Sequence, residues 1–61
     1  MTDIAEKALK QMYDEYLRAG DADWMDISAP AGNQLKSLGY VEKNVLGDFK
    51  LTDAGIAYMA R

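Results

Sequence analysis

The chain has 61 residues, 49% of them apolar, and a formal net charge of −3; these values are typical of one globular domain and argue against disorder. It contains neither cysteine nor histidine, which excludes disulfides, thiolate metal sites and the side chains most used for acid–base catalysis near neutral pH. The five glycines are too dispersed to build a phosphate-binding loop. We therefore predict a single domain, residues 1–61, that is not an enzyme and takes no cofactor, metal or small-molecule substrate.

The chain shows no sign of a membrane or export segment. No apolar run approaches the roughly 20 residues needed to cross a membrane. The acidic N-terminal stretch also lacks the basic start and apolar stretch of a signal peptide. We therefore expect a cytoplasmic protein with no membrane partner.

Charge is distributed unevenly along the chain. Residues 1–27 contain three basic and seven acidic side chains (3 − 7 = −4), whereas residues 28–61 contain four basic and three acidic ones (4 − 3 = +1). A protein that binds duplex DNA neutralises phosphates with a basic face. Only the C-terminal half offers such a face, and the acidic first half is typical of a solvated surface.

The first predicted element is an amphipathic helix between Thr2 and Gly20. Apolar residues recur at i+4 spacing in two adjacent rows, the pattern of a helix that lies on a core. The rows are Ile4, Ala8, Met12, Tyr16 and Ala5, Leu9, Tyr13, Leu17. Thr2 or Asp3 is the predicted N-cap, and Gly20 is the predicted left-handed residue after the C-terminus.

The segment between Gly20 and Ser28 admits two interpretations. Its imperfect alternation favours a short strand, and its acidic residues equally favour a single capped helical turn. The acids do not follow the register of a calcium-binding loop. Trp24, the only tryptophan, is predicted to anchor the core or a dimer interface.

A second helix is predicted between Ser28 and Gly39, with Ser28 as its N-cap and Pro30 in its first turn. Leu35 and Leu38 are predicted to face the core together, and Gly39 is expected to end the helix in a left-handed conformation. Four side chains are predicted to point outward: Asn33, Gln34, Lys36 and Ser37.

A hairpin and a third helix complete the predicted order. The hairpin turns at Gly47–Asp48, and Phe49 and Leu51 are expected to point inward. One face of the first strand is expected to carry Val41, Lys43 and Val45. Thr52 is the predicted N-cap of the last helix, where Gly55 indicates close packing of helix on strand. The side chains expected to pack back on the first helix are Ile56, Tyr58 and Met59.

Two stretches resemble a known family. Residues 35–43, LKSLGYVEK, and residues 51–59, LTDAGIAYM, are similar to the two ends of the wing in winged helix-turn-helix proteins of the MarR and PadR kind. The resemblance implies an α+β, mainly helical fold in the order α-(short β or turn)-α-β-β-α, with a two-stranded wing. It also implies recognition-helix positions at Asn33, Gln34, Lys36 and Ser37, and wing positions near phosphates at Lys43, Asn44 and Lys50.

The chain departs from this family in front of the recognition helix. A helix-turn-helix needs a supporting helix there, but too few residues separate Trp24 from Gly39 to form one as well as the recognition helix. The supporting helix is therefore predicted to be missing or reduced to a turn. Two function classes stay open: a module that binds duplex DNA or is associated with transcription, and a module that binds a partner protein or a second copy of itself.

Overall fold

Three helices and one antiparallel hairpin make up the domain in the computed structural model, which describes all 61 residues. The elements, in chain order, are α1 (Asp3–Ala19), α2 (Ala29–Ser37), β1 (Val41–Lys43), β2 (Phe49–Leu51) and α3 (Asp53–Ala60). The predicted α+β class and the order of its elements are confirmed. None of the helices combines the length and the apolar character needed to span a membrane.

Helix α1 is capped at both ends as predicted. The Thr2 hydroxyl accepts a hydrogen bond from the backbone N–H of Ala5 at 3.2 Å, and Gly20 has a φ of 88°. The buried side of α1 consists of Ala5, Ala8, Leu9 and Met12. The prediction that both apolar rows lie on the core is wrong at their outer positions, where Ile4 and Leu17 are 62% and 60% exposed. So small a domain has no further element to cover the flanks of its longest helix.

The segment between α1 and α2 is extended and not a helical turn, with a single β-bridge in place of a full strand. Met25 forms an isolated antiparallel bridge with Phe49. The Met25 N–H donates to the Phe49 carbonyl at 2.7 Å, and the Phe49 N–H donates to the Met25 carbonyl at 2.9 Å. Met25 therefore lies beside β2, on the side away from β1, and no helix separates α1 from α2.

Helix α2 buries Ala31, Gly32 and Leu35. Gly39 has the predicted left-handed conformation, and the helix ends in a Schellman motif: the Gly39 N–H donates to the Lys36 carbonyl and the Tyr40 N–H donates to the Leu35 carbonyl.

One prediction about α2 is confirmed and another is wrong. Ser28 is the N-cap residue, as predicted, although its side chain makes no capping hydrogen bond. Leu38 is 48% exposed, because α2 ends at Ser37 and the chain turns at Gly39 towards β1 before Leu38 can reach the core.

The hairpin pairs Val41 with Leu51 and Lys43 with Phe49. Phe49 and Leu51 are buried, as predicted, and Val41 is buried with them. Val45 was predicted on the same face of the first strand as Val41, but it is fully exposed, because it follows the last paired residue of β1 and belongs to the turn.

Helix α3 begins at the predicted cap. The Thr52 hydroxyl accepts from the Gly55 N–H at 3.1 Å and donates to the Gly39 carbonyl at 2.6 Å, which ties α3 to the end of α2. Gly55 is buried against the Tyr40 carbonyl, so the predicted close approach of helix to strand is confirmed. Three α3 side chains pack half-buried against the core: Ile56, Tyr58 and Met59.

Candidate nucleic-acid interface

Two lysines are brought to one side of the molecule by the packing of α2 on the hairpin. The backbone of Gly32 lies directly against the ring of Phe49. Lys36 follows Gly32 by one helical turn and therefore leaves α2 on the same face. Lys43 pairs with Phe49 across the hairpin, and its Nζ lies 5.7 Å from the centre of the same ring. We infer from this placement that Lys36 and Lys43 lie on one surface, near the contact of Gly32 with Phe49.

This surface is cationic although the chain as a whole is acidic. Helix α2 contains no acidic residue, and Lys36 and Lys43 form no salt bridge. Glu42 alternates with Lys43 along β1 and therefore points to the opposite face of the hairpin. The positive charge of the two lysines is not neutralised locally.

Two of the predicted α2 side chains, Asn33 and Ser37, lie exposed one turn apart. The Ser37 hydroxyl donates to the Asn33 carbonyl at 3.1 Å. The side-chain amide of Asn33 makes no hydrogen bond within the chain and keeps the donor and acceptor pair that suits an adenine edge. We name the surface formed by Asn33, Lys36, Ser37 and Lys43 the α2–hairpin surface.

Two further predicted residues are engaged in holding the fold. The Gln34 Oε1 accepts from the backbone N–H of Thr2 at 2.8 Å and from the Thr2 hydroxyl at 2.9 Å, and so fixes the cap of α1. The Asn44 Oδ1 accepts from the N–H groups of Leu46 and Asp48 at 3.0 and 2.9 Å and so shapes the turn. Their side-chain oxygens are therefore already used within the chain.

The third predicted lysine lies on the other face of the hairpin. Lys50 pairs with Glu42 across the hairpin, and its Nζ lies 5.4 Å from the centre of the Trp24 ring. Because neighbouring residues of a strand point to opposite faces, Lys50 cannot share a surface with the pair Lys43 and Phe49. Trp24 is 38% exposed here, so it is only partly covered by the domain.

Comparison with known proteins adds no relative: no family model, no curated protein and no solved structure matches this chain. The fold and the surface define a class only, a small α+β domain that presents a helix and a hairpin side by side.

Proposed function

We propose that this chain is a non-enzymatic, winged-helix-like module that binds duplex DNA through the α2–hairpin surface and acts in transcription. The observation that carries the proposal is that Phe49 contacts both the Gly32 backbone, one turn before Lys36, and the side chain of Lys43. In this arrangement α2 enters the major groove, Asn33 and Ser37 face base edges, and the two lysines contact phosphates.

The number of charges sets the strength of this binding. Two phosphate contacts correspond to a slope of about −2 in a plot of log affinity against log salt concentration. The net charge of −3 opposes the approach of the chain to DNA. Binding is therefore weak, most easily seen at low salt, and dependent on the pair of lysines as a unit.

Charge reversal tests the proposal, with a matched control on the opposite face of the hairpin. Lys36→Glu or Lys43→Glu is expected to weaken binding to a mixed-sequence duplex by about tenfold or more, because a phosphate contact is replaced by repulsion. Lys50→Glu changes the net charge equally but lies beside Trp24, so it is expected to weaken binding only about twofold. Fluorescence anisotropy at low salt measures all three variants.

Two outcomes contradict DNA binding by this surface. One is that the unmodified chain leaves the anisotropy of the duplex unchanged at low salt. The other is that all three charge reversals weaken binding equally, which indicates a general effect of net charge. Circular dichroism of each variant verifies that the fold is intact.

A second candidate function is recognition of a partner protein by the outer face of the hairpin. Trp24 and Lys50 stack there, and neither Trp24 nor Glu42 is covered by a helix. Exposed tryptophans supply much of the binding energy in protein interfaces. This face and the α2–hairpin surface are distinct, so variants can separate the two functions.

Trp24→Ala is expected to abolish the binding of a partner protein to this face, because the indole would be the anchor of the interface. Affinity purification of the tagged chain from cells, followed by mass spectrometry, measures partner recovery. Leu17→Ala is the control, because it also truncates an exposed apolar side chain, on α1. Equal partner recovery with both variants would count against this function.

A further inference from the structure

The tip of the hairpin presents two apolar side chains to solvent. Val45 is fully exposed and Leu46 is 82% exposed. The turn beneath them is held by the Asn44 side chain and by the Gly47 N–H, which donates to the Asn44 carbonyl at 3.1 Å. Val45 and Leu46, which we name the hairpin tip, are thus carried on an ordered turn.

A cleft elsewhere on the domain has the complementary character. It lies between α1 and α3, measures about 330 Å³, and has an apolar floor of Met1, Leu9, Tyr58 and Met59. Charged side chains stand around its rim: Glu6, Lys7 and Lys10, with the Arg61 guanidinium 4.0 Å from the centre of the Tyr58 ring. We name it the α1–α3 cleft.

The two features match in polarity and in charge. The rim of the cleft carries Lys7, Lys10 and Arg61 against Glu6 (3 − 1 = +2), whereas the turn, residues 44–48, carries the acidic Asp48 and no basic residue. Two aliphatic side chains on an acidic turn therefore suit an apolar floor inside a basic rim. The domain's own core contains only nine residues, and small domains often bury further apolar surface by self-association.

We propose that the hairpin tip of one copy of this chain inserts into the α1–α3 cleft of a second copy. The proposed contact is one-way, with one tip in one cleft, so it is heterologous and each copy keeps a free tip or cleft for the next. A standard interface takes roughly 800 Å² from each partner, a fifth of the 3999 Å² surface of this chain. The tip covers less than that, so the association is weak and concentration-dependent.

Two double variants test the tip and the cleft separately, and both are expected to fold because they change exposed positions. Val45→Ser with Leu46→Ser removes the apolar tip, and Lys7→Glu with Lys10→Glu reverses the rim charge; all four positions are exposed. In sedimentation velocity up to about 1 mM chain, the unmodified chain is expected to exceed its monomer mass of 6.8 kDa and to grow beyond a dimer. Each variant alone is expected to remain a monomer.

A mixture of the two variants is the decisive measurement. It contains one intact tip and one intact cleft on different molecules, so it is expected to form a heterodimer and nothing larger. Leu17→Ser, which changes an equally exposed apolar side chain outside both features, is expected to associate like the unmodified chain. The proposal is overturned if the unmodified chain stays at 6.8 kDa, if either variant associates normally, or if the mixture remains monomeric.

Self-association and DNA binding are tested independently. Lys36→Glu is expected to weaken DNA binding while leaving the sedimenting mass unchanged, because Lys36 belongs to neither the tip nor the cleft. A lower mass in this variant would show that the contact involves α2 and would overturn the assignment of the cleft.

Discussion

Gly55→Ala is expected to destabilise the domain by about 3 kcal/mol or more, although alanine in a helix interior normally stabilises by about 1 kcal/mol. A Cβ at Gly55 would overlap the Tyr40 carbonyl oxygen and lie 3.0 Å from the Tyr40 carbonyl carbon. Backbone atoms cannot rotate away as a side-chain end can. Moving the carbonyl would also break its hydrogen bond with the Thr52 N–H.

Chemical denaturation monitored by circular dichroism measures this effect. A 61-residue domain has a total stability of roughly 3–9 kcal/mol, so the variant is expected to be largely unfolded or to unfold at low denaturant. Ala57→Gly, at an exposed position of α3, is the control and is expected to cost about 1 kcal/mol. A Gly55→Ala variant as stable as the unmodified chain would show that α3 can move off the strand without loss.

Gly32→Ala is expected to destabilise by about 2 kcal/mol, because the new Cβ would overlap the ring of Phe49. Phe49 is 1% exposed, and two backbone hydrogen bonds with Met25 hold it in place, so its ring has little room to move away from Gly32. The same denaturation experiment measures the loss. A gain in stability would mean that the ring finds another position in the core.

A second substitution tests the cause of that loss. Phe49→Leu alone is expected to cost about 1–2 kcal/mol through lost packing. In combination with Gly32→Ala it is expected to cost less than the sum of the single effects, because leucine leaves room for the new methyl group. Additive losses would place the strain of Gly32→Ala elsewhere than on the Phe49 ring.

The packing tested by these variants also builds the α2–hairpin surface. Gly32 lets α2 approach Phe49 closely, and this approach brings Lys36 and Lys43 to the same side. A folded Gly32→Ala variant would displace α2 from the hairpin. The proposed function thus depends on a contact inside the core as well as on the exposed lysines.

Local signals in the sequence predicted the element boundaries well. Thr2 and Thr52 are N-caps, because each has an extended backbone and a side-chain hydroxyl that accepts from the backbone N–H three residues later. Gly20, Gly39 and Gly47 have positive φ, as expected where a helix or hairpin turns. These features depend on a few neighbouring residues, so they are readable without knowledge of the fold.

Burial at the margins of elements was predicted less well, because it depends on neighbours distant in sequence. Ile4, Leu17 and Leu38 follow the helical period but are exposed, since no element covers them. The hydrogen bonds of Gln34 with Thr2 span 32 residues. No local pattern indicates that the amide oxygen of Gln34 is used to cap another helix.

The sequence by itself determined the elements of this protein, their order and their caps, because these depend on backbone conformation and short-range hydrogen bonds. Only the tertiary structure decided which charged side chains lie on the same side of the hairpin. Lys43 and Lys50 are equivalent candidates in the sequence, but strand alternation and pairing place Lys43 beside Phe49 and Lys50 beside Trp24. The packing of Gly32 on Phe49 then selects Lys43 as the partner of Lys36.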